Sequence, residues 1–195
     1  MTWDPVLNPS TGLGVTTVLM GNCGFCIAPC RAEDRDLTLR NLTQVEGMSL
    51  EALREGVRWD FESFGEYLDM LEDTGMVPNI GVYCGHSSVR TYVMGADAHK
   101  RAATEAEIDQ MESIVAQAMQ DGALGLSSTT NPQHNGELGI PMPSRFSGPE
   151  FTPESDEFRR LIQASRMFMV WRKSLSLLRK CFLPVPAETA LCFSS

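Results

Sequence analysis

Apolar and polar positions along the first 165 residues follow two alternating periods, and the switches between them mark the elements. Gly14 to Gly21 (GVTTVLMG) is a β-branched run with glycine at both ends, which predicts a strand buried on both faces. Ala32 to Val45 and Leu50 to Glu55 have helical spacing. Phe61 to Glu72 sets Phe61, Phe64, Leu68 and Leu71 on one helical face, with Asp60 as the expected cap. A second buried strand is predicted over Asn79 to Cys84. The clearest helix runs from Thr104 to Gln120, where Thr104 and Glu107 form a capping box and Ile108, Met111, Ile114, Val115 and Ala118 form an apolar stripe. Ala123 to Ser127 follows as a third strand.

Strand, helices, strand, helix, strand is the order of an α/β fold with parallel strands and crossover helices. Three strands cannot close a barrel, and 195 residues fall short of the roughly 250 that an eight-stranded (β/α) barrel takes. Chemistry in such sheets collects beyond the carboxyl ends of the strands. Those loops are expected at Gly21-Asn22-Cys23-Gly24, at Gly85-His86-Ser87-Ser88 and at Ser127-Ser128-Thr129-Thr130.

Charge divides the chain. Residues 1–165 carry 11 basic and 24 acidic side chains, a net of −13, whereas residues 166–195 carry 5 basic and 1 acidic, a net of +4. The second stretch is basic and apolar, and reads either as an amphipathic helix packing on the body or as a non-native ending to the domain at 1–165. The overall charge of −9 disfavours nucleic-acid binding and bulk anionic membrane. No apolar run approaches the roughly 18 residues of a spanning helix, and Met1 to Ser10 lacks an export signal, so a cytoplasmic location is expected.

The cysteines are then thiols or metal ligands rather than disulfides. Cys23, between two glycines at a strand end, is placed to ligate Zn²⁺ or act as a nucleophile. Cys23, Cys26 and Cys30 also form a C-x2-C-x3-C array, which suggests a small metal-binding or redox module, with Cys84 the nearest further cysteine or histidine. The apolar residues between them equally suit Cys26 and Cys30 to packing. Ser87, Ser88, Arg90, Ser127 and Thr129 are candidates for a substrate mouth because they follow strand ends, Arg90 being suited to a carboxylate. His99 and His134 read as solvated or loop residues without a role.

Several motifs carry a resemblance when taken in order: Thr2-Trp3-Asp4-Pro5, Gly14-Val15-Thr16-Thr17-Val18, Gly21-Asn22-Cys23-Gly24, Ala28-Pro29 with Arg31 and Glu33-Asp34-Arg35, Trp59-Asp60-Phe61-Glu62-Ser63-Phe64, Gly85-His86-Ser87 and Gly122-Ala123-Leu124-Gly125-Leu126-Ser127. Over roughly residues 1–165 the chain resembles the N-acyl-D-amino-acid deacylases, the D-aminoacylase branch of the amidohydrolases. The resemblance implies part of a distorted TIM-like (β/α) barrel and a zinc-dependent hydrolase that cleaves N-acyl-D-amino acids to a carboxylate and a D-amino acid. Cys23 falls on the family's metal-ligating cysteine. In that family the ion lowers the pKa of its bound water from about 15.7 to near 7 and polarises the acyl carbonyl, while a carboxylate shuttles protons.

The chain also departs from the pattern. The family's His-x-His pair belongs just before the Trp-Asp-Pro segment and its later metal histidines and catalytic aspartate beyond residue 165, and none of these is matched. A truncated hydrolase with negligible turnover by itself is therefore expected, with exposed barrel edges that favour self-association. A third reading is a non-catalytic interaction protein whose basic apolar tail binds a partner or an anionic surface.

Overall fold

The computed structural model describes residues 4–129, 131, 133–146, 155–165, 167–171 and 190–194. The strands are β1 (Thr17–Met20), β2 (Asn79–Gly85), β3 (Gly125–Thr129), β4 (Met167–Trp171) and β5 (Ala190–Ser194). They form one sheet in the order β1-β2-β3-β4-β5, every neighbouring pair parallel. The helices are α1 (Arg35–Glu46), α2 (Leu50–Gly56), α3 (Phe64–Thr74), α4 (His86–Met94), α5 (Glu105–Asp121) and α6 (Asp156–Ala164). The fold is thus α/β with helical crossovers between parallel strands.

Local sequence explains most of the boundaries. Thr104 caps α5 by accepting from the Glu107 amide, Glu107 returns the bond to the Thr104 amide, and left-handed Gly122 ends the helix. The start of α3 differs from the expectation. Ser63, not Asp60, is the cap, because Ser63 and Glu66 close a reciprocal capping box. Asp60 instead pairs with Arg58, and Phe61 lies before the helix yet still packs in the core.

The core lies between the sheet and helices α3, α5 and α6, where Phe61, Phe64, Tyr67, Leu71, Val82 and Cys84 meet Val89, Met111, Val115, Leu126, Phe158 and Leu161. A smaller cluster of Leu39, Leu53 and Val57 joins α1 to α2. β3 is buried throughout, as a strand with neighbours on both sides should be. β1 is not: Leu19 is 46% exposed, because the strand has one neighbour, β2, among the described residues. The expectation of burial on both faces fails there for that reason.

Two further corrections concern the strand ends. Gly85-His86-Ser87-Ser88 is not a loop, since β2 passes directly into the first turn of α4. Ser127, Ser128 and Thr129 lie within β3, which starts and ends two residues later than the apolar pattern suggests. Beyond residue 165, Met167–Trp171 is a strand paired with β3 rather than part of a helix. Most of residues 166–195 lies outside the described residues. No helix among the described residues is long and apolar enough to cross a membrane.

Candidate functional site

The Gly21–Gly24 turn needs its glycines. Gly21 has φ 77° and Gly24 φ 78°, in the left-handed region that side chains disfavour. Space is equally restrictive, because a Cβ on Gly21 would lie 2.7 Å from the Tyr83 carbonyl oxygen and one on Gly24 would lie 2.6 Å from Ser128 Cα. The turn after β1 therefore folds back across the ends of β2 and β3.

The hydroxyls expected at a substrate mouth hold that turn in place. Ser127 donates to the Gly21 carbonyl. Ser88 donates to the Cys26 carbonyl at 2.6 Å and accepts from the Cys26 amide at 3.0 Å. The Ser87 amide donates to the Gly24 carbonyl at 2.9 Å, and its hydroxyl accepts from the Ser144 amide at 3.2 Å. All three serines are buried. They stand beside the strand ends, as the sequence implies, but their side chains are turned into the protein because the returning backbone offers polar partners at closer range.

Arg90 departs further from its expected role. It is 0% exposed, and its guanidinium is spent within the protein. His86 and Arg90 are four residues apart on one face of α4, so a single carboxylate can reach both. That carboxylate is Glu157, in the first turn of α6: one oxygen lies 2.7 Å from His86 Nε2 and the other pairs with Arg90 Nη1. His86 Nδ1 is 3.0 Å from the Ser128 hydroxyl, and Arg90 Nη2 donates to the Arg101 carbonyl at 2.9 Å. Burial pushes the Glu157 carboxyl upward, but the His86 hydrogen bond and charge, with Arg90 beside them, outweigh it and leave it below its ordinary value.

An open cleft of about 320 Å³ lies at the carboxyl end of β1, lined by Gly21, Asn22, Cys23, Phe25, Val45, Glu46 and His134. Thr129, half-committed to the Asn131 amide, is 3.1 Å from His134 Nδ1 and so links the end of β3 to this cleft. His134 is not a solvated loop residue: it is half-buried in the cleft wall. His99 is also half-buried, with Nδ1 3.2 Å from the Pro141 carbonyl. Burial pushes the Cys23 thiol up, and the nearby Glu46 carboxylate adds to it. Burial lowers His134, with Glu46 opposing.

The residue pattern places Cys23 at this rim, gives His134 no role and does not single out Glu46 or Glu157. Glu46 did leave a local trace, as an acidic residue closing a helix whose last turn has no basic residue. Glu157 left none.

Among the described residues, no group of three His, Cys, Asp or Glu side chains could hold a metal ion. Cys23 offers a soft donor facing the cleft, but one thiol does not make a catalytic zinc site, which takes about three protein ligands. The cysteine array does not supply the others. Cys26 Sγ lies 2.8 Å from the Ala28 carbonyl and 3.5 Å from the Ser88 hydroxyl, and burial holds the Cys30 thiol up at about 11 beside Thr38. These two thiols are turned into the packing, which does not favour a redox or cluster module.

No protein-family model matches the chain. It is 36% identical over 122 residues, 63% of its length, to D-aminoacylase from Alcaligenes xylosoxydans xylosoxydans. It is 34% identical over 126 residues to N-acyl-D-aspartate deacylase from the same organism. It spans 22% and 23% of those two proteins, about a fifth of their length. Among solved structures, a D-aminoacylase mutant in complex with copper chloride aligns over 85% of this chain and 30% of its own, with 27% identity and a TM-score of 0.57. N-acyl-D-glutamate deacylase from Bordetella bronchiseptica, complexed with zinc and a phosphonate inhibitor, aligns over 80% of this chain and 27% of its own at 22% identity, with a TM-score of 0.54, and supports the fold alone. These relatives and structural neighbours of the chain are D-aminoacylase and N-acyl-D-amino-acid deacylase amidohydrolases, alike over part of its length.

Proposed function

We propose that residues 1–165 are part of a TIM-like (β/α) barrel of a hydrolase for N-acyl-D-amino acids, and that Cys23 is one ligand of its zinc. The observation that carries this reading is the position of the thiol. It sits on a glycine-hinged turn at the carboxyl rim of a parallel sheet and faces an open cleft, within a chain 36% identical over 122 residues to a D-aminoacylase.

The reaction adds water across the acyl C–N bond, hydroxyl to the carbonyl carbon and a proton to the departing amine. In this chain Ser88 and Ser127 hold the Gly21–Gly24 turn on the strand ends, and Thr129 orients His134 along the cleft wall. Phe25 and Val45 give the cleft apolar sides against which a small acylated substrate packs. A bound zinc would supply Lewis acidity and an activated water. With one soft donor among the described residues facing the cleft, turnover by the chain alone is expected to be negligible.

Zinc analysis of the purified chain and its Cys23→Ser variant, with a turnover assay on N-acetyl-D-amino acids, tests both parts. Zinc retained by the native chain and lost in the variant supports the ligand assignment, and equal zinc in both overturns it. Robust turnover by the chain alone would overturn the view that its machinery is incomplete.

A further inference from the structure

Glu46 occupies a place that local electrostatics disfavour. It is the last residue of α1, at the end where the helix macrodipole is negative and cations, not carboxylates, are stabilising. The last turn of α1 has no basic residue to offset it, and no ion pair to Glu46 is formed among the described residues, although Arg40 in the same helix pairs with Asp36 and Glu137. Glu46 is exposed, so what distinguishes it is the space it faces rather than the cost of its position.

The site is the cleft itself. Of its seven lining residues, Glu46 is the one carboxylate. The negative end of α1 opens onto the same space through Val45 and Glu46. Cys23 and His134 line the same cleft as this carboxylate. Beside it Phe25 and Val45 provide an apolar wall, which suits the stem of a long side chain with its charged head at the rim.

We propose that Glu46 is a specificity-determining residue that ranks N-acyl-D-amino acids by the charge of the D-side chain: basic first, uncharged next, acidic last. This rests on the deacylase reading of the cleft and deepens it. The relatives include a D-aminoacylase and an N-acyl-D-aspartate deacylase at nearly equal identity, so overall similarity does not choose between neutral and acidic substrates.

The test is calorimetric titration of the full chain, with zinc present and at one low ionic strength, using N-acetyl-D-lysine, N-acetyl-D-leucine and N-acetyl-D-glutamate. The Glu46→Gln variant is run beside it. Affinity should fall in that order, and the variant should shrink the lysine-to-glutamate ratio by about tenfold, as removal of one short-range charge–charge interaction predicts. If all three bind and the ratio is the same in both proteins, the charge proposal fails while the deacylase reading stands. If none binds at millimolar concentration, the reading of this cleft as the substrate site fails and takes this inference with it.

Discussion

Replacing Glu157 by alanine should remove a large part of the stability of this fold. Arg90 is 0% exposed and Glu157 2% exposed, and among the described residues the guanidinium otherwise donates to the Ala98 and Arg101 carbonyls, which carry no net charge. Removing one partner of such a buried pair costs about 3–5 kcal/mol, because the other charge stays buried and uncompensated. His86 Nε2 loses its partner in the same step. Against a total of about 5–15 kcal/mol for an ordinary domain, that is a lowering of the melting temperature by about 10 °C or more.

Urea and thermal unfolding followed by circular dichroism measure the effect, with Arg90→Met and the double variant Glu157→Leu/Arg90→Met completing a cycle. The double variant should recover much of the loss, since neither charge is then left alone. The sign of the pH dependence follows from the depressed Glu157 carboxyl. Its contribution is fully present above the ordinary value of 4.5 and is lost as pH falls through the lower folded value. Glu157→Gln should flatten that acid limb. A loss below about 1 kcal/mol in Glu157→Ala, or a double variant no more stable than the single, would refute the view that this pair is a buried, mutually dependent charge couple.

Two further substitutions test the local arguments. Gly24→Ala should cost about 2–4 kcal/mol, from the left-handed backbone and the 2.6 Å approach to Ser128 Cα together, and a near-neutral midpoint in thermal unfolding would show that the turn can move off the strand ends. Thr104→Ala removes the cap of α5 and should cost about 1 kcal/mol in urea unfolding, with no change in the amide protection of α4.

The elements that the amino-acid order alone determined are those whose cause lies within one turn of chain. Thr104 and Glu107 start α5 because each satisfies the other's backbone three residues away, and Gly21 and Gly24 announce a sharp bend because only glycine takes that conformation freely. The parallel α/β plan and the placing of Cys23 at a strand end followed from the same local periods. What those periods could not show is which polar group a side chain would find across the fold. Arg90 was legible as a strand-end cation, but its partner Glu157 is 67 residues away and brought there by the docking of α6 on α5, where Arg160 pairs with Asp109 and Glu112. Ser88 and Ser127 looked free because the returning backbone of residues 21–26 comes from 62 and 106 residues upstream. Burial of β1 was misjudged because its apolar run is that of an inner strand, and exposure depends on how many neighbours the sheet provides. Residue type and spacing thus set the helices, strands and turns, whereas tertiary packing decided which polar groups became structural and which were left facing the cleft, because desolvation and pairing are settled by distance in space and not by distance along the chain.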